Sequence, residues 1–180
     1  MTESLYRAGY IRTFSGQYVN LVNPKADTIY PIDIAVHLAR ECRFSNATKK
    51  IYSVAEHSVW CMLKAERDYP GMIYLPFIML MHDAHEYLWR DMATPAKELL
   101  TGYKVYADML QVVINDKFNV RISPEENEVI KRIDLEALEW EWDNKVLDGD
   151  YHEPAEKNIV ETFLYHFVRL CKVSSIKLTP

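Results

Sequence analysis

Four ionisable residues of this chain interrupt apolar patterns, and their types suit the capture of a divalent cation. His82 and Asp83 follow Ile73-Tyr74-Leu75-Pro76-Phe77-Ile78-Met79-Leu80-Met81, a segment apolar all round and therefore buried if helical. A carboxylate carried into such an interior needs a cation, a metal or a full set of donors. Adjacent helical residues diverge by about 100°, yet a ligand lying between their two directions can touch both. Two further groups break inward-facing patterns. His57 lies three after Val54 and four before Cys61, and Asp134 lies four after Ile130, three before Ala137 and four before Leu138. Taken singly, a helical histidine or aspartate is more often a hydrogen-bonded structural residue. Jointly, two imidazoles and two carboxylates on three helices make a mixed nitrogen and oxygen donor set that suits a divalent transition metal.

The elements that must position these groups read as an all-α chain with a small N-terminal β-hairpin. Tyr10 to Asn23 holds two β-prone segments around Ser15-Gly16 and predicts the hairpin, within an extension covering residues 1–30. The first helix is expected from Pro31 to Cys42. Ser53 caps a second that runs to about Arg67, with Glu56 completing a Ser-x-x-Glu capping box. A third should start at Leu75-Pro76 and continue unbroken through His82 to Trp89. Thr94-Pro95 opens a fourth, Ala96 to about Phe118. Ser123-Pro124 caps a fifth that reaches Trp142, and a last helix is expected from about Ala155 to Lys172.

Composition narrows the function classes. The 180 residues, 49% hydrophobic and 12% aromatic, suffice for one well-packed core, so a single domain spanning 1–180 is expected. A formal net charge of -5 argues against an extended nucleic-acid surface but leaves room for a small anionic ligand, which needs only a few placed cations. Cys42, Cys61 and Cys171 are far apart and odd in number, as reduced thiols of a cytoplasmic protein would be. Met1 to Tyr10 holds no apolar stretch of signal-peptide length, and Met72 to Met81 is too short to span a bilayer. A zincin would carry Glu directly after the first of two histidines one turn apart, and nucleotide-binding glycine loops have no counterpart among only five glycines.

The segments YSVAEHS (Tyr52 to Ser58), MHDAHE (Met81 to Glu86) and RIDLEALEWE (Arg132 to Glu141) resemble the three motifs of the HD-domain phosphohydrolases. The likeness extends to the preceding RECRF and the following TPAK, and is close to the bacterial 5′-deoxynucleotidases and the small phage dATP triphosphohydrolases. It implies an HD-domain helical bundle with a divalent ion (Co, Zn, Mn or Mg) on His57, His82, Asp83 and Asp134. Glu86 matches the family's catalytic glutamate, with a surface carboxylate as the plain alternative. Asp91 resembles the nucleotidases' second acidic residue near the 5′ oxygen, or else caps a helix end.

Arg43 is similar to a phosphate-binding arginine, whose fork of donors matches two oxygens at once. Lys97 and Lys131 match phosphate-facing lysines of the triphosphohydrolases, against the alternative of solvated lysines. Phe44 would flank base or sugar, or lie in the core. The resemblance implies a small-molecule deoxynucleotide substrate and a homo-oligomer, dimer or hexamer, with no polymer or membrane partner. On the strength of Lys97 and Lys131, a dNTP, in particular dATP, cleaved to deoxynucleoside and triphosphate, is the first expectation. A 5′-deoxynucleotidase acting on dNMPs, or a non-catalytic nucleotide-binding scaffold, is the alternative.

Overall fold

The computed structural model describes residues 8–147 and 158–176. Among them the chain is mostly helical, with one two-stranded antiparallel hairpin near its start. Strands β1 (Tyr10–Arg12) and β2 (Tyr18–Asn20) set Ile11 opposite Val19, whose side chain enters the core. Gly16 holds φ 93° in the connecting turn, where a side chain would strain the backbone. The turn is bound to helix α1 (Pro31–Leu38) by the buried carboxylate of Asp33. It accepts from Thr13 Oγ1 at 2.8 Å, Ser15 N–H at 2.6 Å and Ser15 Oγ at 2.8 Å.

Helix α1 ends about one turn before the expected Cys42, because Cys42 is needed elsewhere. It is extended and bridges Ser53, with Arg43 N–H donating to the Tyr52 carbonyl and Val54 N–H to that of Glu41. That bridge sets Arg43 beside the start of α2 (Val54–Asp68). The expected capping box is present in both directions, Glu56 N–H to Ser53 Oγ at 3.2 Å and Ser53 N–H to Glu56 Oε2 at 2.7 Å. Helix α2 packs chiefly on α3 (Leu75–Met81), every residue of which is buried, as an all-apolar helix requires.

The expected third helix is interrupted. Between α3 and α4 (Glu86–Trp89) the backbone bonds close over three residues, and the Gln111 carboxamide occupies the gap between Met81 and His85. The expected fourth helix is also two pieces, α5 (Thr94–Lys97) and α6 (Tyr103–Lys117). Gly102 at φ 90° turns the chain between them. Helix α7 (Pro124–Glu141) has the capping box of Ser123 and Glu126 and runs on into one wider, π-type turn, Trp142–Leu147. Helix α8 (Ile159–Val173) closes the bundle, and the expected start of this helix at Ala155 lies outside the described residues.

Phe77 of α3, Phe118 after α6 and Phe167 of α8 meet with ring centroids 5.2–6.1 Å apart, joining three helices at one point. No helix among the described residues is long and apolar enough to cross a membrane. All three cysteines are free.

Asp33→Asn replaces one acceptor oxygen by a donor facing donors. Urea denaturation should show a loss of about 2 kcal/mol at unchanged slope, and an unaltered midpoint would show that the docked hairpin adds nothing to stability.

Candidate metal centre

His57 enters from α2, where the register set by Ser53 turns it to the buried side with Val54 and Cys61, and it is wholly buried. Its Nδ1 lies 2.7 Å from Glu141 Oε1. His82 follows α3 directly, and its Nδ1 lies 2.7 Å from the Met79 carbonyl. Both partners only accept, so both Nδ1 atoms carry hydrogen, and in the neutral rings both Nε2 atoms present lone pairs. Those two Nε2 atoms face each other at 3.2 Å. Neutral lone pairs cannot bond one another; a positive charge shared between them resolves the contact.

The carboxylates complete the cluster. Asp83 Oδ2 is 3.5 Å from His57 Nε2 and 3.3 Å from His82 Nε2, and Asp134 Oδ1 is 3.3 and 3.7 Å from the same two atoms. All four ligand atoms lie within 4.8 Å of one another, so the group can hold a metal ion. Electrostatics agree with that. Burial opposes the charge of Asp83, yet His82 and His57 hold its carboxyl well below the usual range. Burial also opposes a charged His82, yet Asp83 and Asp134 push its imidazole up. Positive charge is therefore favoured at the point where the four converge. Two nitrogen and two oxygen donors fit a divalent transition ion.

Asp134 differs in detail from its expected place inside an apolar stripe. The buried stripe of α7 is Val129, Ile133, Ala137 and Glu141, four apart, while Asp134 stands at its edge with its side chain 48% exposed. Glu141 is the residue sequence reasoning missed. Its side chain is fully buried and accepts from Arg43 Nε at 3.0 Å and Nη2 at 2.8 Å, from Tyr52 Oη at 3.0 Å, and from His57. Four-residue spacing from Val129 onward carried the signal, since it puts Glu141 on the inward face.

The cluster opens into a cleft of about 280 Å³ lined by Arg43, Phe44, Asp83, Glu86, Asp91, Met92, Lys97, Asp134 and Leu138 among others. Arg43 spends two nitrogens on Glu141, while Nη1 reaches to 4.0 Å from Asp83. Glu86 is 3% exposed. Its Oε1 is 3.3 Å from Lys97 Nζ, and its Oε2 has no hydrogen-bond partner among the described residues. Burial, with Asp83 and Asp91 nearby, raises its carboxyl well above the usual range. Burial raises Asp91 too, against the pull of Arg43 and Lys97.

Phe44 lies against Trp142, ring centroids 6.1 Å apart, and holds φ 55°. Lys131 is elsewhere, exposed on α7 and paired with Glu128 at 2.8 Å, outside the cleft lining.

Asp91 reaches the cleft through an unusual backbone. Arg90 before it holds φ 67° and ψ 153°, its carbonyl accepts from Tyr103 Oη at 2.8 Å, and its guanidinium pairs with Glu41. Of the other histidines, His37 takes the Phe14 N–H on Nε2 and donates from Nδ1 to the Tyr87 carbonyl. His166 lies beside Arg169, and His152 is outside the described residues.

Glu141→Gln keeps the volume but weakens the hold on the His57 N–H. Divalent-ion affinity by calorimetric titration should fall about 10- to 100-fold, and an unchanged affinity would free His57 from Glu141.

No family model matches the chain. It is 34% identical over 113 residues to an uncharacterized protein of Rhodobacter capsulatus, covering 61% of this chain and 58% of that one. It is 32% identical over 161 residues to the uncharacterized protein YfdR of Escherichia coli K12, covering 89% of this chain and 86% of that protein. At that identity and coverage, the chain belongs to the same family as YfdR.

Proposed function

We propose that the protein is an HD-type, metal-dependent phosphohydrolase that releases the nucleoside from a small deoxynucleotide. The observation that carries this is the convergence of His57, His82, Asp83 and Asp134 at the base of a cleft that also holds the buried Glu86. A divalent cation held by those four residues would supply charge to a phosphoryl oxygen and acidify a water. Arg43 Nη1 and Lys97 Nζ are the cations that line the cleft and would hold phosphate oxygens. Burial, with Asp83 and Asp91 nearby, favours the protonated form of Glu86. As water attacks phosphorus and the bond to the 5′ oxygen breaks, Glu86 Oε2 gives that proton to the departing oxygen. Asp91, raised in the same way, adds a second carboxyl beside it.

The geometry favours a monophosphate. Among the described residues two cations line the cleft, Arg43 already held by the Glu141 carboxylate and Lys97 by the Glu86 carboxyl, and Lys131, which the longer phosphate chain of dATP was expected to use, lies outside it. A dNTP triphosphohydrolase is the second reading, supported by Lys97 in the cleft lining.

Incubation with each dNMP and dNTP in Mn, Co, Zn or Mg, followed by chromatography, separates these readings. Free nucleoside and phosphate from dNMPs is the expected result, abolished by a chelator. Nucleoside and triphosphate from dATP, with dAMP untouched, would select the second reading. No turnover with any ion would leave a nucleotide-binding scaffold. Glu86→Gln should lower kcat by about 100- to 10,000-fold while metal affinity, titrated directly, is kept. Equal rates in the variant and the parent would remove Glu86 from the chemistry.

A further inference from the structure

Gln111 of α6 sits where a backbone hydrogen bond of the α3 helix belongs. In an uninterrupted α-helix the His85 N–H would donate to the Met81 carbonyl four residues back. Instead, Gln111 Nε2 donates to the Met81 carbonyl at 2.9 Å and Gln111 Oε1 accepts the His85 N–H at 3.0 Å. The remaining capacity of the amide is used as well. Nε2 donates to Asn115 Oδ1 at 3.0 Å, and Oε1 lies 3.2 Å from His85 Nδ1. These partners fix which end is oxygen, since the reverse orientation would set an amino group against the His85 N–H.

The insertion changes the turn that carries the chemistry. With the four-residue bond taken, the backbone closes over three residues. Ala84 N–H donates to Met81 O at 3.0 Å, Glu86 N–H to Asp83 O at 3.0 Å, and Tyr87 N–H to Ala84 O at 3.1 Å. A turn of this kind advances about 120° per residue against about 100° in an α-helix, so side chains three apart eclipse. Asp83 and Glu86 are three apart, and both line the cleft. A continued α-helix would leave them about 60° out of line.

We propose that Gln111 is a positioning residue. By replacing the Met81–His85 backbone bond it holds one tightened turn, and that turn brings Glu86 into line with Asp83 at the cleft. The role of Glu86 is taken from the function proposed above, whereas the wedge itself is testable without it.

Gln111→Met keeps the length of the side chain and removes its hydrogen bonds, freeing Met81 O and His85 N–H for each other. NMR coupling across a hydrogen bond from the His85 amide to the Met81 carbonyl, measured without metal or nucleotide, should be absent in the parent and present in the variant. In turnover, kcat should fall about 100-fold with KM and Mn affinity within about 3-fold, and the substitution should cost nothing further in a Glu86→Gln background. Gln111→Glu keeps the acceptor for the His85 N–H but loses the donors to Met81 O and Asn115 Oδ1, so its His85 amide should stay off the Met81 carbonyl and its kcat should fall less than that of Gln111→Met, which separates the wedge from general packing.

A His85 amide that stays off the Met81 carbonyl in Gln111→Met would overturn the proposal. So would losses that add in full with those of Glu86→Gln. A parent protein inert toward every nucleotide and ion would remove the proposed function, and the NMR comparison would still decide the wedge.

Discussion

A carboxylate with no access to water must be surrounded by donors, and the Glu141 side chain is the clearest instance of that demand in this protein. Its two oxygens gather a guanidinium from Arg43 and a phenol and an imidazole from the Tyr52–His57 segment. Removing any one of them leaves charge or dipole uncompensated in a medium that solvates neither. The same contact that closes α7 against α2 also decides which nitrogen of His57 faces the cluster. Packing and site chemistry here are one interaction seen from two sides.

The balance of charge in the cleft follows from that arrangement. Among the described residues Asp83, Glu86, Asp91 and Asp134 line it against Arg43 and Lys97, so carboxyl groups outnumber cations. An anionic ligand entering such a cleft meets repulsion unless some of those groups are protonated or bound to a cation. Burial favours the first for Glu86 and Asp91, whereas the imidazoles favour an ionised Asp83. Two carboxyls are thus disposed to carry protons and two to carry charge, a division made by surroundings, since the side chains are chemically alike.

Much of this was legible in the residues, where local rules apply. Ser53 and Ser123 announced their helices because a capping box is a four-residue motif, and His57, His82 and Asp83 betrayed themselves by interrupting apolar periodicity. Asp134 was legible too, though it stands at the edge of its stripe. Less visible were effects imposed from a distance. Glu141 sits among other acidic residues near the end of α7 and looks like a surface glutamate until Arg43, 98 residues earlier, is placed beside it. The break after Met81 has no local cause, since no proline or glycine marks it; a carboxamide from α6 produces it. Gly102, by contrast, was available as a signal to split the fourth helix.

Arg90 carries the last consequence. Its backbone, left-handed and nearly extended, is one that glycine adopts freely and other residues hold at about 1–3 kcal/mol. The side chain present is nonetheless arginine, tied to Glu41 just beyond α1, while His37 of the same helix grips the Tyr87 carbonyl three residues earlier. The side of the cleft bearing Asp91 is therefore braced against α1, like the fixed jaw of a vice. Phe44, which also lines the cleft, leans instead on the half-exposed indole of Trp142, so adjustment to a bound molecule is expected at Phe44 before Asp91.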